Sequence, residues 1–136
     1  MTTIADILAA HKDKEGPLLP ILHHVQKMFG HVSEDAMREI AHALNLTRAE
    51  VYGVVSFYHD FRKEAEVRPV IKLCRAEACK ARGVEALVPL AESQNRVKVE
   101  AIYCLGLCSV GPAAMVGDEV YARLDGHRFS ALLEAL

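Results

Sequence analysis

The sequence predicts an α/β chain in which a helical N-terminal half precedes a domain built on a mixed sheet. Three features carry that reading. Apolar residues recur at helical spacing as far as about residue 62, short β-branched runs follow, and all four cysteines of the 136 residues fall between positions 74 and 108 as two pairs.

The expected helices come first. Ile4, Ile7 and Leu8 predict a short helix ended by HKDKEG. Pro17 opens a second, in which Leu18, Leu22, Val25 and Phe29 share a face, Pro20 falls in the tolerant first turn and Gly30 is the stop. Ser33 caps a third with an acidic first turn, Glu34 and Asp35, and an apolar face of Met37, Ile40, Ala41 and Leu44. Thr47 with Glu50 fits a capping box, so a fourth helix starts at Arg48 and buries Val51, Val54, Val55 and Tyr58.

Past residue 62 the period changes. VRPVIKLC reads as a strand ending at Cys74, GVEALVPLAES as one short helix, and RVKVEAIYC as a strand running into Cys104. AAMVGDEVYARL reads as a hairpin about Gly117-Asp118, and HRFSALLEAL as a closing amphipathic helix. The division is 1–62 for the helical segment and 63–136 for the sheet domain, in the order β-α-β then β-β-α.

Composition narrows the function. With 51% hydrophobic and 25% charged residues the chain is an ordinary globular one. A net charge of -2 gives no pull toward nucleic acid or an anionic membrane. No apolar run approaches the roughly 20 residues of a membrane helix, and MTTIADILAAHKDKEG lacks a signal-peptide pattern, so a cytoplasmic location without membrane insertion is expected. No phosphate loop, nucleophile elbow or catalytic carboxylate pair is present; no residue is expected to be catalytic in the chain alone.

In a reducing compartment clustered cysteines point to metal ligation or redox use. If the strands ending at Cys74 and Cys104 are parallel, a helical crossover joins them and both cysteine pairs, CRAEAC and CLGLC, meet at one sheet edge. Four thiolates suit zinc or an iron-sulfur cluster, and the spacing alone leaves both open. Rieske ligation is disfavoured because no histidine lies in either loop, and a dithiol oxidoreductase because neither pair is C-x-x-C. Lys72, Arg75, Lys80 and Arg82 surround the first pair, either to raise a cluster's potential or as a solvated basic face. His23 and His24, with His31 and His42, are expected to be exposed or partner-facing rather than a metal site. Tyr52, Phe57, Tyr58 and Phe61 form an aromatic stripe expected at a domain junction or a partner contact.

Taken in order, PILHHVQKMFGHVS, VYGVVSFYHDF, C-x4-C, CLGLC and GPAAMV resemble the thioredoxin-like [2Fe-2S] subunit family of NADH dehydrogenase (complex I) and related NAD-linked dehydrogenases and hydrogenases. The likeness runs from about Gly16 to the C-terminus. It implies a thioredoxin-like second domain and one [2Fe-2S] cluster held by Cys74, Cys79, Cys104 and Cys108. It also implies electron exchange with a flavin- and NAD(H)-binding partner subunit. CRAEAC and CLGLCSVGPAAM look most like the gamma subunit of cytoplasmic NAD-dependent formate dehydrogenase, which implies a larger molybdenum-containing catalytic subunit. The equivalent subunit of complex I or of an NAD-linked hydrogenase is the alternative, and a zinc-stabilised interaction module is the alternative of another class. AESQNRVKVEAIYC is shorter than the corresponding segment in many relatives, a departure at the partner-docking surface.

Overall fold

The computed structural model describes residues 1–136 as two units, Met1–Glu66 and Val67–Leu136. The first holds α1 (Ile4–His11), α2 (Leu18–Phe29), α3 (Glu34–Leu44) and α4 (Arg48–Phe57). Its starts and stops are side-chain and backbone caps. Thr3 and Thr47 form capping boxes with Asp6 and Glu50, and Ser33 accepts from the Ala36 N–H. Gly30 (φ 79°) and Asn45 (φ 54°) end α2 and α3 in the left-handed conformation. Ile7, Ile21, Leu22, Val25, Met37, Ile40 and Val51 are fully buried together, the expected faces meeting in one core. Tyr58 departs from expectation. It is the extended C-cap of α4 and stays 41% exposed, whereas Phe61, after the helix, turns inward.

The second unit is a four-stranded mixed sheet in the order β2-β1-β3-β4: β1 Val70–Cys74, β2 Lys98–Ile102, β3 Ala114–Val116 and β4 Glu119–Tyr121. β1 and β2 are parallel, with Cys74 opposite Ile102, as the crossover argument requires. β3 lies antiparallel on the other side of β1, and β3–β4 is the hairpin about Gly117 (φ 58°) and Asp118. Between β1 and β2 run α5 (Glu77–Ala81), a 3-10 turn (Val84–Leu87) and α6 (Val88–Glu92); α7 (Gly126–Ala135) closes the chain. The crossover is thus not one helix. Pro89 has no N–H to return to the Glu85 carbonyl, so the α-helical ladder cannot run through it, and the 3-10 turn precedes α6. Ile71, Leu73, Val84, Leu87, Val97, Phe129 and Leu133 form the core of this unit.

Candidate metal centre

Each thiol is placed by a different device. Cys74 is the last residue of β1, buried to 2% exposure. Cys79 lies in α5, a helix that the sequence pattern does not predict; EACKA is rich in helix formers, and Glu77 in its first turn complements the dipole. Cys104 comes two residues after β2 rather than at its end, because its backbone turns left-handed there (φ 71°) and cannot continue a strand. Gly106 (φ 78°) turns the loop again and delivers Cys108 at the start of a 3-10 turn, Cys108–Val110.

The parallel register brings the pairs together. With Ile102 opposite Cys74, the chain beyond β2 doubles back so that the Cys104 N–H donates to Cys74 Sγ at 3.3 Å. Cys104 Sγ and Cys108 Sγ stand 3.8 Å apart, and Cys74 and Cys79 share a thiol hydrogen bond. Two thiolates on one tetrahedral metal at about 2.3 Å would be roughly 3.8 Å apart, so the exposed pair already has ligand spacing. Three or more His, Cys, Asp or Glu side chains do not gather round one point as a single ion would need. The sulfurs stand as two pairs linked through Cys74, the arrangement that a two-metal cluster uses and a lone zinc does not.

Electrostatics separate the four thiols. Burial pushes the Cys74 thiol up, yet N–H groups of Ala76, Cys104 and Leu105 and the Cys79 thiol donate to its sulfur and hold it below the usual cysteine value. Cys79 is raised, first by burial and then by its hydrogen bond with Cys74, despite an N–H from Ala113. Cys108 is raised by sharing a proton with Cys104 and facing its charge. The surrounding cations are partly neutralised: Arg75 Nη2 meets Glu85 Oε2 at 2.8 Å, and Lys80 Nζ lies 3.8 Å from Glu77 Oε1.

Sequence reasoning missed the strap across this site. Gly111, Pro112 and Ala113 pass over the first pair, where the Ala113 carbonyl accepts from the Cys74 N–H at 2.9 Å and the Ala113 N–H reaches the Cys79 sulfur. A Cβ on Gly111 would sit 3.0 Å from Cys79 Sγ, so the cradle round that sulfur exists only because residue 111 has no side chain. The signal was present in GPAA, a turn followed by small residues with nothing to fill a core. The cradle, the two pairs and the N–H donors fit a thiolate-bound cluster.

The histidines do not assemble a second site. His23 packs on Phe61, with ring centroids 4.8 Å apart, and His31 Nδ1 meets the Phe29 carbonyl at 3.1 Å. His24 is half-buried rather than exposed, its Nδ1 lying 3.0 Å from His11 Nε2. His11 belongs to no motif in the sequence, although it stands four residues after Ile7 on the apolar face of α1. Of the aromatic stripe, Phe61 is buried while Tyr52, Phe57 and Tyr58 are exposed. No helix is long and apolar enough to cross a membrane.

Comparison with known proteins agrees with this geometry. The family model described as thioredoxin-like [2Fe-2S] ferredoxin matches residues 4–136. The HndA subunit of the NADP-reducing hydrogenase of Solidesulfovibrio fructosivorans is 28% identical over 89% of this chain and 77% of its own. A subunit of the NADH-quinone oxidoreductase of Rhizobium meliloti is 30% identical over 93% of this chain and 82% of its own. Among solved structures, air-oxidised NAD+-reducing [NiFe]-hydrogenase superposes with a TM-score of 0.73 at 29% identity over 86% of this chain. This chain spans only 22% of that hydrogenase chain.

Proposed function

The chain belongs to the thioredoxin-like [2Fe-2S] ferredoxin family, whose cofactor is a [2Fe-2S] cluster, and on that premise we propose that Cys74, Cys79, Cys104 and Cys108 hold one such cluster in an electron-transfer subunit of an NAD-linked oxidoreductase. The observation that carries the reading is the meeting of two thiol pairs at one end of the β1–β2 pair, with main-chain N–H groups aimed at the Cys74 sulfur. When bound, the cluster supplies storage of a single electron. The chain's own residues set the terms of that storage. N–H donors from Ala76, Cys104 and Leu105 offset negative charge at Cys74. The Gly111–Ala113 strap shuts solvent from Cys74 and Cys79, whereas Cys104 and Cys108 are exposed and leave one side of the site near the surface, where a flavin- and NAD(H)-binding subunit can dock. No residue of this chain acts on substrate.

The finer assignment is a cytoplasmic NAD-dependent formate dehydrogenase with a molybdenum-containing catalytic subunit, and the loop sequences CRAEAC and CLGLC are its support. The relatives by name are subunits of a hydrogenase and of NADH-quinone oxidoreductases, which favours those complexes as the second reading. Anaerobic purification followed by absorption and electron paramagnetic resonance spectroscopy tests the cofactor ligands. Cys104→Ala is expected to lose the cluster signal while the helical unit keeps its circular dichroism; an unchanged visible spectrum would refute the assignment. A colourless chain with one zinc and no iron would replace it by the zinc module. Partners recovered with a tagged chain decide the complex: molybdenum with formate-dependent reduction of NAD supports the finer reading, and hydrogen-dependent reduction the second.

A further inference from the structure

The four thiols are unequal in access. Cys74 and Cys79 are 2% and 3% exposed, under the Gly111–Ala113 strap, whereas Cys104 and Cys108 are both exposed with their sulfurs 3.8 Å apart. Resting on the assignment of these residues as the cluster's ligands, we propose that Cys104 and Cys108 are a reversible oxidation site. In the chain without its cluster, a low-molecular-weight disulfide such as oxidised glutathione converts this pair, and not Cys74 and Cys79, into an intramolecular disulfide that blocks cluster loading.

The chemistry follows from access and proximity. Thiol-disulfide exchange begins when a thiolate reaches a disulfide sulfur in line, which a buried thiol cannot do. One exposed cysteine attacks oxidised glutathione, the glutathione S–S bond breaks, and one glutathione leaves as a thiol. The neighbouring cysteine, already within 3.8 Å, attacks the protein sulfur of the mixed disulfide and displaces the second glutathione. Two protein thiols lose two electrons and two protons, and oxidised glutathione becomes two glutathione thiols. The loop that carries the pair has the freedom to close: Leu105, Gly106 and Leu107 lie between the two cysteines, and Gly106 sits at φ 78°. Cys104 is meanwhile anchored by its N–H to Cys74 Sγ, so closure draws Cys108 inward. Metal ligation needs the thiolate, so the disulfide removes two of the four donors at once.

The test uses the full chain, stripped of iron by an anaerobic chelator, exposed to oxidised glutathione, alkylated and mapped by peptide mass spectrometry. The expected product joins Cys104 to Cys108 and leaves Cys74 and Cys79 to be alkylated only after unfolding. Iron uptake from ferrous iron and sulfide is lost on oxidation and regained after dithiothreitol. Cys104→Ser has no resolving thiol, so glutathione is expected to stay on Cys108 as a persistent mixed disulfide. A disulfide that includes Cys74 or Cys79, or glutathione left on both exposed cysteines of the parent chain, would overturn the proposal. The mapping uses no metal. A chain that purifies with zinc therefore sinks the functional reading while leaving the thiol map standing, and a wrong thiol map overturns this site while leaving a cluster spectrum intact.

Discussion

Replacing Gly111 by alanine tests whether the strap sets the position of a ligand. The backbone there (φ -67°, ψ 169°) is an ordinary extended one that any residue adopts, so glycine is not needed for the turn itself. What is missing is room. The added Cβ would lie 3.0 Å from Cys79 Sγ, 3.4 Å from Arg82 Cδ and 3.7 Å from Cys79 Cα. Nonbonded carbon atoms rest at about 3.5–4.0 Å and sulfur is larger, so the strap and Cys79 must separate by about 0.5–1 Å. Arg82 is a flexible stem that can swing away, but Cys79 is 3% exposed and Ala113 and Ala114 are fully buried, so the sulfur moves only by straining its surroundings. Overpacking of this kind costs about 1–3 kcal/mol. Urea unfolding followed through the visible absorption of the cluster reads that loss, and the electron paramagnetic resonance g values of the reduced protein read the displaced ligand. Gly53→Ala is the control: its Cβ would meet nothing within 4 Å, it lies inside α4, and the exchange is expected to stabilise the helical unit by about 0.5–1 kcal/mol. A Gly111→Ala protein with parental stability and g values would refute the reasoning.

Three further outcomes follow from the two cores. Phe129→Ala empties a fully buried ring position in the sheet unit and is expected to cost about 3–5 kcal/mol, seen as early loss of the cluster's absorption in urea. Thr47→Ala removes the acceptor for the Glu50 N–H and half of a capping box, a loss of about 1 kcal/mol measured by far-ultraviolet circular dichroism of the helical unit. His11 should make that unit acid-sensitive. Burial first, then Lys14 and His24, depress its pKa below the 6.5 of a free histidine, so the unfolded chain takes up its proton at a higher pH than the folded one. Stability is therefore level well above pH 6.5 and falls as pH drops through that value toward the lower folded pKa; His11→Leu should flatten this slope in thermal melts at about pH 7.5 and about pH 5.5.

The helical unit was legible because its signals are local. Ser33, Thr47, Gly30 and the apolar faces of α2 and α3 each act within a few residues, and a capping box or a 3.6-residue period needs no knowledge of the rest of the chain. The cysteine pairing was legible for a different reason: a parallel β1–β2 pair was the one topological assumption needed to bring CRAEAC and CLGLC to the same edge. What sequence did not yield is tertiary. α5 is five residues long and is held by what Cys79 packs into rather than by caps, since Ala76 offers no side-chain cap. The His11–His24 contact joins two helices through residues 13 positions apart in sequence and depends on how α1 lies on α2. The strap's grip on Cys79 depends on a space, and an empty volume beside a glycine leaves no mark in composition.

The same topology explains why the site has one guarded and one open side. β1 is an inner strand, with β2 on one flank and β3 on the other, so the residues at its end are closed in from both directions. The strap leading into β3 returns over Cys74 through the Ala113 carbonyl, and the Arg75 N–H donates to the Ile102 carbonyl across β2. β2 is an edge strand, so the loop that follows it has a neighbour on one side only. Cys104 reaches back to Cys74 through its N–H, yet its sulfur and that of Cys108 face solvent. A mixed sheet in the order β2-β1-β3-β4 therefore supplies a buried ligand pair from its inner strand and an exposed pair from its edge. That asymmetry is what an electron carrier needs, with a polarised, water-poor side to hold charge and a surface side through which an electron can pass to a partner.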